Sequence, residues 1–294
     1  MKKIFPVLLF IILFNRIGIS QDSLSTFKFD FIPAGLNFMP LKAGVDEARM
    51  GLLYYTANSN MKADIGNSVD FLGFNFPSAK SRITVGAEFM AYAYVTSYLA
   101  YRLQIDAIDG IFGGNATYSK ECENGRFVAR FRYIHNSAHM VDGHWDVANQ
   151  QWINNKNPNA YGNNYAEVVL ARENTLCGNF IRYYAGAAFS TGMKTGSEQL
   201  RKNLYKAGFE YAIPNLAGKI FDKDENIFVA VNIDLRGIPE YVGNQNYMLG
   251  LKFGNWQGKG ISLYASYYNG GDVFNQYLNI RVSRFGIGFM LDFI

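Results

Sequence analysis

All three histidines of this 294-residue chain fall within ten positions, in the stretch RFVARFRYIHNSAHMVDGHWD from Arg126 to Asp146. The spacing His135-x-Ser137 is the part with clear chemistry. In an extended strand, residues i and i+2 share a face about 6.7 Å apart, within reach of an imidazole and a hydroxyl. A serine alone is a poor nucleophile at neutral pH. A histidine that takes its proton during attack, itself oriented by a carboxylate or amide, makes it competent. Glu167 is the candidate orienting acid, with Asn149 and Asn164 behind it. Two other readings stay open. His135, His139 and His144 with Asp142 and Asp146 have the donor types of a divalent-ion site, although no recognised ligand spacing supports one. A histidine and a serine at a hydrated strand end also need no function at all.

The elements that would hold these residues follow from periodicity. Ile227, Val229, Val231, Ile233 and Leu235 alternate with Phe228, Ala230, Asn232 and Asp234, a period of two that predicts a strand with one apolar and one polar face. Leu99 to Asp106, Tyr247 to Gly254 and Arg284 to Phe293 repeat the pattern. About twelve such segments can be read, from Glu47–Tyr55, Val69–Phe76 and Ile83–Tyr94 to a last one at Ile280–Phe293. With 24 Phe, 20 Tyr and 29 Gly, this composition fits an all-β transmembrane antiparallel up-and-down barrel with aromatic girdles. Mixed charge on Arg102, Gln104 and Asp106, expected beside Arg126, Arg130 and Arg132, suggests a lumen filled by ion pairs rather than a wide pore.

The ends of the chain agree with that reading. The opening MKKIFPVLLFIILFNRIGIS has two lysines, a short apolar core and small residues, as a secretory signal over residues 1–20 should. Of the 28 basic residues, the signal carries three, leaving 25 against 24 acidic ones, a formal charge of +1. No basic footprint for nucleic acid remains. Residues 21–46 read as an N-terminal periplasmic segment and 47–294 as one outer-membrane barrel. The ending FGIGFMLDFI resembles the C-terminal signal by which such barrels are recognised for insertion, which implies the barrel-assembly machinery as a partner, although Ile294 follows the aromatic Phe293.

On the strand from Arg126, the residues Phe127, Ala129, Phe131, Tyr133, His135, Ser137 and His139 share the face expected to look at lipid. The run RYIHNSAHM resembles the H-x-S motif of outer-membrane phospholipase A and of the outer-membrane lipid A deacylases. It is closer still to a family of secreted barrels of unknown function that bear H-x-S-x-H followed by an acid, here His135, Ser137, His139 and Asp142. The similarity is strongest from Tyr98 to Asp146 and extends through AGLNFMPL and AEVVLAREN. The resemblance implies a lipid-acyl ester hydrolase with His135 as base and Ser137 as nucleophile, outer-membrane lipids as substrates, and calcium as an allowed cofactor. Where the phospholipase pattern continues with asparagine and glycine, Ala138 and His139 stand here, so its oxyanion and calcium ligands have no counterparts. The alternative is a non-catalytic barrel serving as pore, adhesin or structural element.

The register across the hairpin decides which group meets Ser137. Cys122 and Cys177 both fall in connections at the foot of this hairpin, in an oxidising compartment, and a disulfide between them is expected. Setting them opposite each other places Ser137 across from Gly162. Centring the hairpin on its loop places it across from Glu167.

Overall fold

The computed structural model describes residues 27–98, 102–140, 145–146, 148–152, 158–196, 200–220 and 222–292. The signal expected at 1–20 and the terminal Phe293 and Ile294 lie outside them. A short strand β1 (Lys28–Phe31) precedes the wall, which runs β2 (Met50–Tyr55), β3 (Asn60–Phe76), β4 (Ser81–Tyr98), β5 (Arg102–Cys122) and β6 (Gly125–Met140). After a small two-strand ribbon, β7 (Trp145–Asp146) with β8 (Gln151–Trp152), the wall resumes with β9 (Tyr161–Leu176), β10 (Asn179–Thr195) and β11 (Asn203–Ile220). It ends with β12 (Lys223–Gly237), β13 (Tyr241–Gly254), β14 (Gly260–Gly271) and β15 (Arg281–Asp292). Neighbours pair antiparallel throughout, and β15 pairs with β2, so twelve strands close into an up-and-down barrel. Closure removes the open edges that a sheet of this length would otherwise expose.

Alternation is what sorts the two faces. On β12, Val229, Ile233 and Leu235 are exposed while Phe228, Ala230, Asn232 and Asp234 are buried. Ile65, Phe89, Phe112, Phe131, Leu170, Phe189, Leu249 and Ile287 continue the exposed apolar surface around the barrel. Such an outer face is compatible with a lipid surround, and no helix among the described residues is long and apolar enough to cross a membrane.

The lumen is filled from both ends. Residues 33–49, which span the end of the segment expected at 21–46 and the start of the strand expected at Glu47–Tyr55, enter the barrel as a plug, with Asn37, Leu41, Lys42, Ala43 and Glu47 buried. The reason is that the inward-facing wall residues are charged and need partners. Arg130 binds Glu47 at 2.6 Å; Arg132 binds Asp46 at 2.8 Å. Arg182 donates to the Met39 carbonyl at 2.8 Å, and Asn246 to that of Ala43 at 2.8 Å. β1 anchors the plug outside by pairing with Leu72–Asn75 of β3. From the other end, the β14–β15 connection folds inward, burying Phe274, Asn275, Gln276, Tyr277 and Leu278. Asn275 there donates to Asp109 at 2.8 Å.

Two expectations about the wall are corrected. Cys122 and Cys177 are both free and exposed. Cys122 closes β5 opposite Gly125 of β6, so β6 lies between it and β9, and two interstrand spacings of about 4.8 Å exceed what a disulfide spans. Cys177 and Gly178, with φ of 50° and 81°, form the two-residue turn between β9 and β10, the left-handed geometry favoured in hairpins. Nor does Asp106 lie beside Arg126–Arg132. Arg126 faces Glu121 and Arg132 faces Asn115, whereas Ala107 already faces Met140 at the opposite end of the hairpin.

Candidate functional site on the outer wall

The β6 ladder is what positions the candidate residues. Arg130, Arg132, Ile134 and Asn136 are buried in the lumen. Phe131, Tyr133 and His139 are exposed on the outside, with His135 and Ser137 half-buried between them. On one side β5 sets Phe112 opposite His135 and Gly110 opposite Ser137. On the other, β9 sets Asn164 opposite His135 and Gly162 opposite Ser137. This is the register that aligning the two cysteines implies, reached without the bond. β10 adds Gly192 beside Asn164 and Lys194 beside Gly162.

Two hydrogen bonds order the site. His135 Nδ1 and Asn164 Oδ1 are 2.7 Å apart. An amide oxygen only accepts, so a neutral His135 carries its proton on Nδ1 and leaves the Nε2 lone pair as the basic position. Phe112 packs on the imidazole with ring centroids 5.0 Å apart. Thr191 Oγ1 donates to the Asn164 carbonyl at 3.1 Å and lies 3.0 Å from the Tyr133 hydroxyl, tying β10 to both strands. The second bond joins Ser137 Oγ to His139 Nε2 at 3.0 Å. Serine is thus flanked by a histidine at i−2 and another at i+2, all on one face.

Glu167 is not part of this constellation. It lies three positions beyond Asn164 and so on the luminal face, 1% exposed. There it accepts from Arg132 Nε at 2.6 Å and pairs with Lys206 at 2.7 Å. The odd offset between Asn164 and Glu167 carries that signal in the sequence, once the hairpin register is known. Asn149 sits in the far loop, where its amide donates to Asp146 at 2.7 Å. Asp142 and His144 lie outside the described residues.

Calcium takes six to eight oxygen ligands, with carboxylates prominent among them. Among the described residues, the outward positions around Ser137 are Gly110, Phe112, Gly162, Asn164, Gly192 and Lys194, with no carboxylate and with the Asn164 oxygen already committed to His135. That donor set does not fit the ion, and no step is routed through it. No protein-family model matches the chain, and no curated protein is significantly similar to it.

Proposed function

We propose that the protein is an integral outer-membrane barrel that hydrolyses acyl esters of membrane lipids, with Ser137 as nucleophile, His135 as general base and Asn164 as the group that orients it. The observation that carries this reading is the 2.7 Å bond from His135 to Asn164, which leaves a basic imidazole nitrogen on the same outward face as Ser137. The resemblance of RYIHNSAHM to the H-x-S barrels supports it. So does the placement, because a membrane ester reaches the outer wall and not a plugged lumen.

The chemistry follows in two halves. His135 Nε2 takes the proton of Ser137 as Oγ bonds to the acyl carbon, and the carbonyl electron pair moves onto oxygen. The tetrahedral species collapses with cleavage of the bond to the alcohol oxygen, which receives that proton from His135. Water then attacks the acyl-enzyme with His135 again as base, releasing the fatty acid and restoring Ser137. Ser137 Oγ bonds His139 Nε2 at 3.0 Å, so the step requires a change of Ser137 χ1 between staggered wells that brings Oγ toward His135. The filled lumen argues against a pore.

The test is covalent labelling by a fluorophosphonate together with lipid mass spectrometry of outer membranes from cells carrying wild type or Ser137→Ala. Labelling confined to Ser137, and lysolipid and free fatty acid formed only by wild type, are the expected results. Identical lipid profiles and no labelling of wild type would leave a non-catalytic barrel.

A further inference from the structure

Among the described residues the outward face offers few donors for the charge that develops on the carbonyl oxygen: Lys194 stands two strands away on β10, beside Gly162. Preorganised donors of this kind are usually the largest single contribution to acyl transfer. At Ser137 itself the β6 backbone is paired with Gly110 on one side and with Gly162 on the other, the last pair of the β6–β9 ladder, so the backbone there serves the sheet. Among the described residues the donor set for a metal is missing as well. His139 Nε2, 3.0 Å from Ser137 Oγ, is the side-chain group in position.

The surroundings of that nitrogen are open. A Cβ on Gly110 would meet only His139 Nε2, at an uncrowded 3.9 Å, and one on Gly162 would meet nothing within 4 Å. Many wall glycines answer a close approach, as at Gly113, where a Cβ would stand 2.0 Å from the Tyr133 carbonyl oxygen, whereas Gly110 and Gly162, like Gly114 and Gly243, do not. A glycine in a strand weakens it and commonly marks close approach of a ligand or another backbone. At Gly110 and Gly162 no backbone crowds in, and the two positions flanking Ser137 leave its hydroxyl and the His139 imidazole uncovered by neighbouring β-carbons.

We propose that His139 is a second catalytic histidine: with its Nε2 protonated, it donates to the carbonyl oxygen of an ester seated in the side-chain-free bay between Gly110 and Gly162. The assignment rests on Ser137 acting as nucleophile with His135 as base, and it divides the two imidazoles by role. His135, held by Asn164 with Nδ1 protonated, accepts the Ser137 proton. His139, in the opposite tautomer, keeps its own proton and hydrogen-bonds the oxyanion while the Oγ–carbon bond forms. It returns to Ser137 Oγ once the alcohol has left and water has cleaved the bond between Oγ and the acyl carbon.

The experiment uses the full-length protein refolded in detergent, with heat-modifiable migration as the check on folding. Turnover is measured on 4-nitrophenyl butyrate and on vesicles of palmitoyl-oleoyl phosphatidylethanolamine. His139→Ala should lower kcat by about 10² to 10³ with KM little changed, the effect of losing one oxyanion donor. His139→Gln, which restores an N–H donor but no base, should recover part of that loss, whereas His135→Gln should recover none. Gly110→Leu and Gly162→Leu should reduce turnover of the phospholipid far more than that of the butyrate ester. His139→Ala at wild-type kcat would overturn the assignment. So would His139→Gln as inactive as Ser137→Ala, which would make His139 the base. If wild type itself is neither labelled by the fluorophosphonate nor faster than Ser137→Ala, the hydrolase reading has failed and this assignment with it. Labelling retained with wild-type kcat in His139→Ala would sink the assignment alone.

Discussion

A carboxylate is one way to hold a catalytic imidazole; a side-chain amide is another, and here the amide is the group in contact. Asn164 fixes the tautomer of His135 without adding charge to a face otherwise lined by Phe112, Phe131 and Tyr133. With Ser137 and His135 as the proposed nucleophile and base, Ser137→Ala or His135→Ala should cost on the order of 10⁴-fold in turnover, since such a pair acts as a unit. Asn164→Ala should cost less, about 10- to 100-fold, comparable to the loss of an orienting partner elsewhere. Glu167→Gln gives the opposite pattern. Removing one member of a buried ion-pair cluster costs about 3–5 kcal/mol, so the variant should fold poorly, as seen by a lowered unfolding midpoint in heat-modifiability gels, yet react at the wild-type rate once folded. A drop in kcat with unchanged stability would return Glu167 to the orienting role.

Strands and turns determine which of these residues can meet. The β6–β9 pairing is continuous from Gly125–Asn174 to Ser137–Gly162, and a one-residue slip would carry His135 and Ser137 into the lumen. The cysteines report on the far end of the same hairpin. With Cys122 at the end of β5 and Cys177 in a left-handed turn, both thiols should react with maleimide in the folded protein without prior reduction. Protection that only a reductant relieves would show a bond and a different register at that end.

For the molecule as a whole, residues 33–49 fill one end of the lumen and the β14–β15 connection the other. Wild type should not conduct in a planar bilayer, and a chain lacking residues 27–49 should conduct only when Phe274–Leu278 are also shortened. Burial works against ionisation of Asp46 and Glu47, but Lys206 and Arg132 beside Asp46, and Arg130 and Arg132 beside Glu47, outweigh it. Asp46 is held well below the usual carboxylate range and Glu47 at about 2. Because both folded-state values are depressed, their contribution is fully present above the ordinary carboxylate pKa and is lost only as pH falls through the lowered values. The plug should thus stay seated from neutral pH down to about pH 3, with protection of residues 33–49 from protease lost under stronger acid. Loss of that protection near pH 5 would mean the plug is held by other groups.

What the chain determined by itself was the wall. Ile227–Leu235 and Phe285–Phe289 alternate so regularly that face and strand follow from period two alone, and the outward placement of His135, Ser137 and His139 follows with them. Three things were decided only by the closed tertiary structure. Residues 33–49 carry no strong period, so their place in the lumen depends on Arg130, Arg132 and Arg182 arriving there from distant strands. The sequence left Gly162 and Glu167 as alternatives opposite Ser137 because alternation specifies a face but not a register. Only the ladder separates Asn164, outside with His135, from Glu167, inside with Lys206.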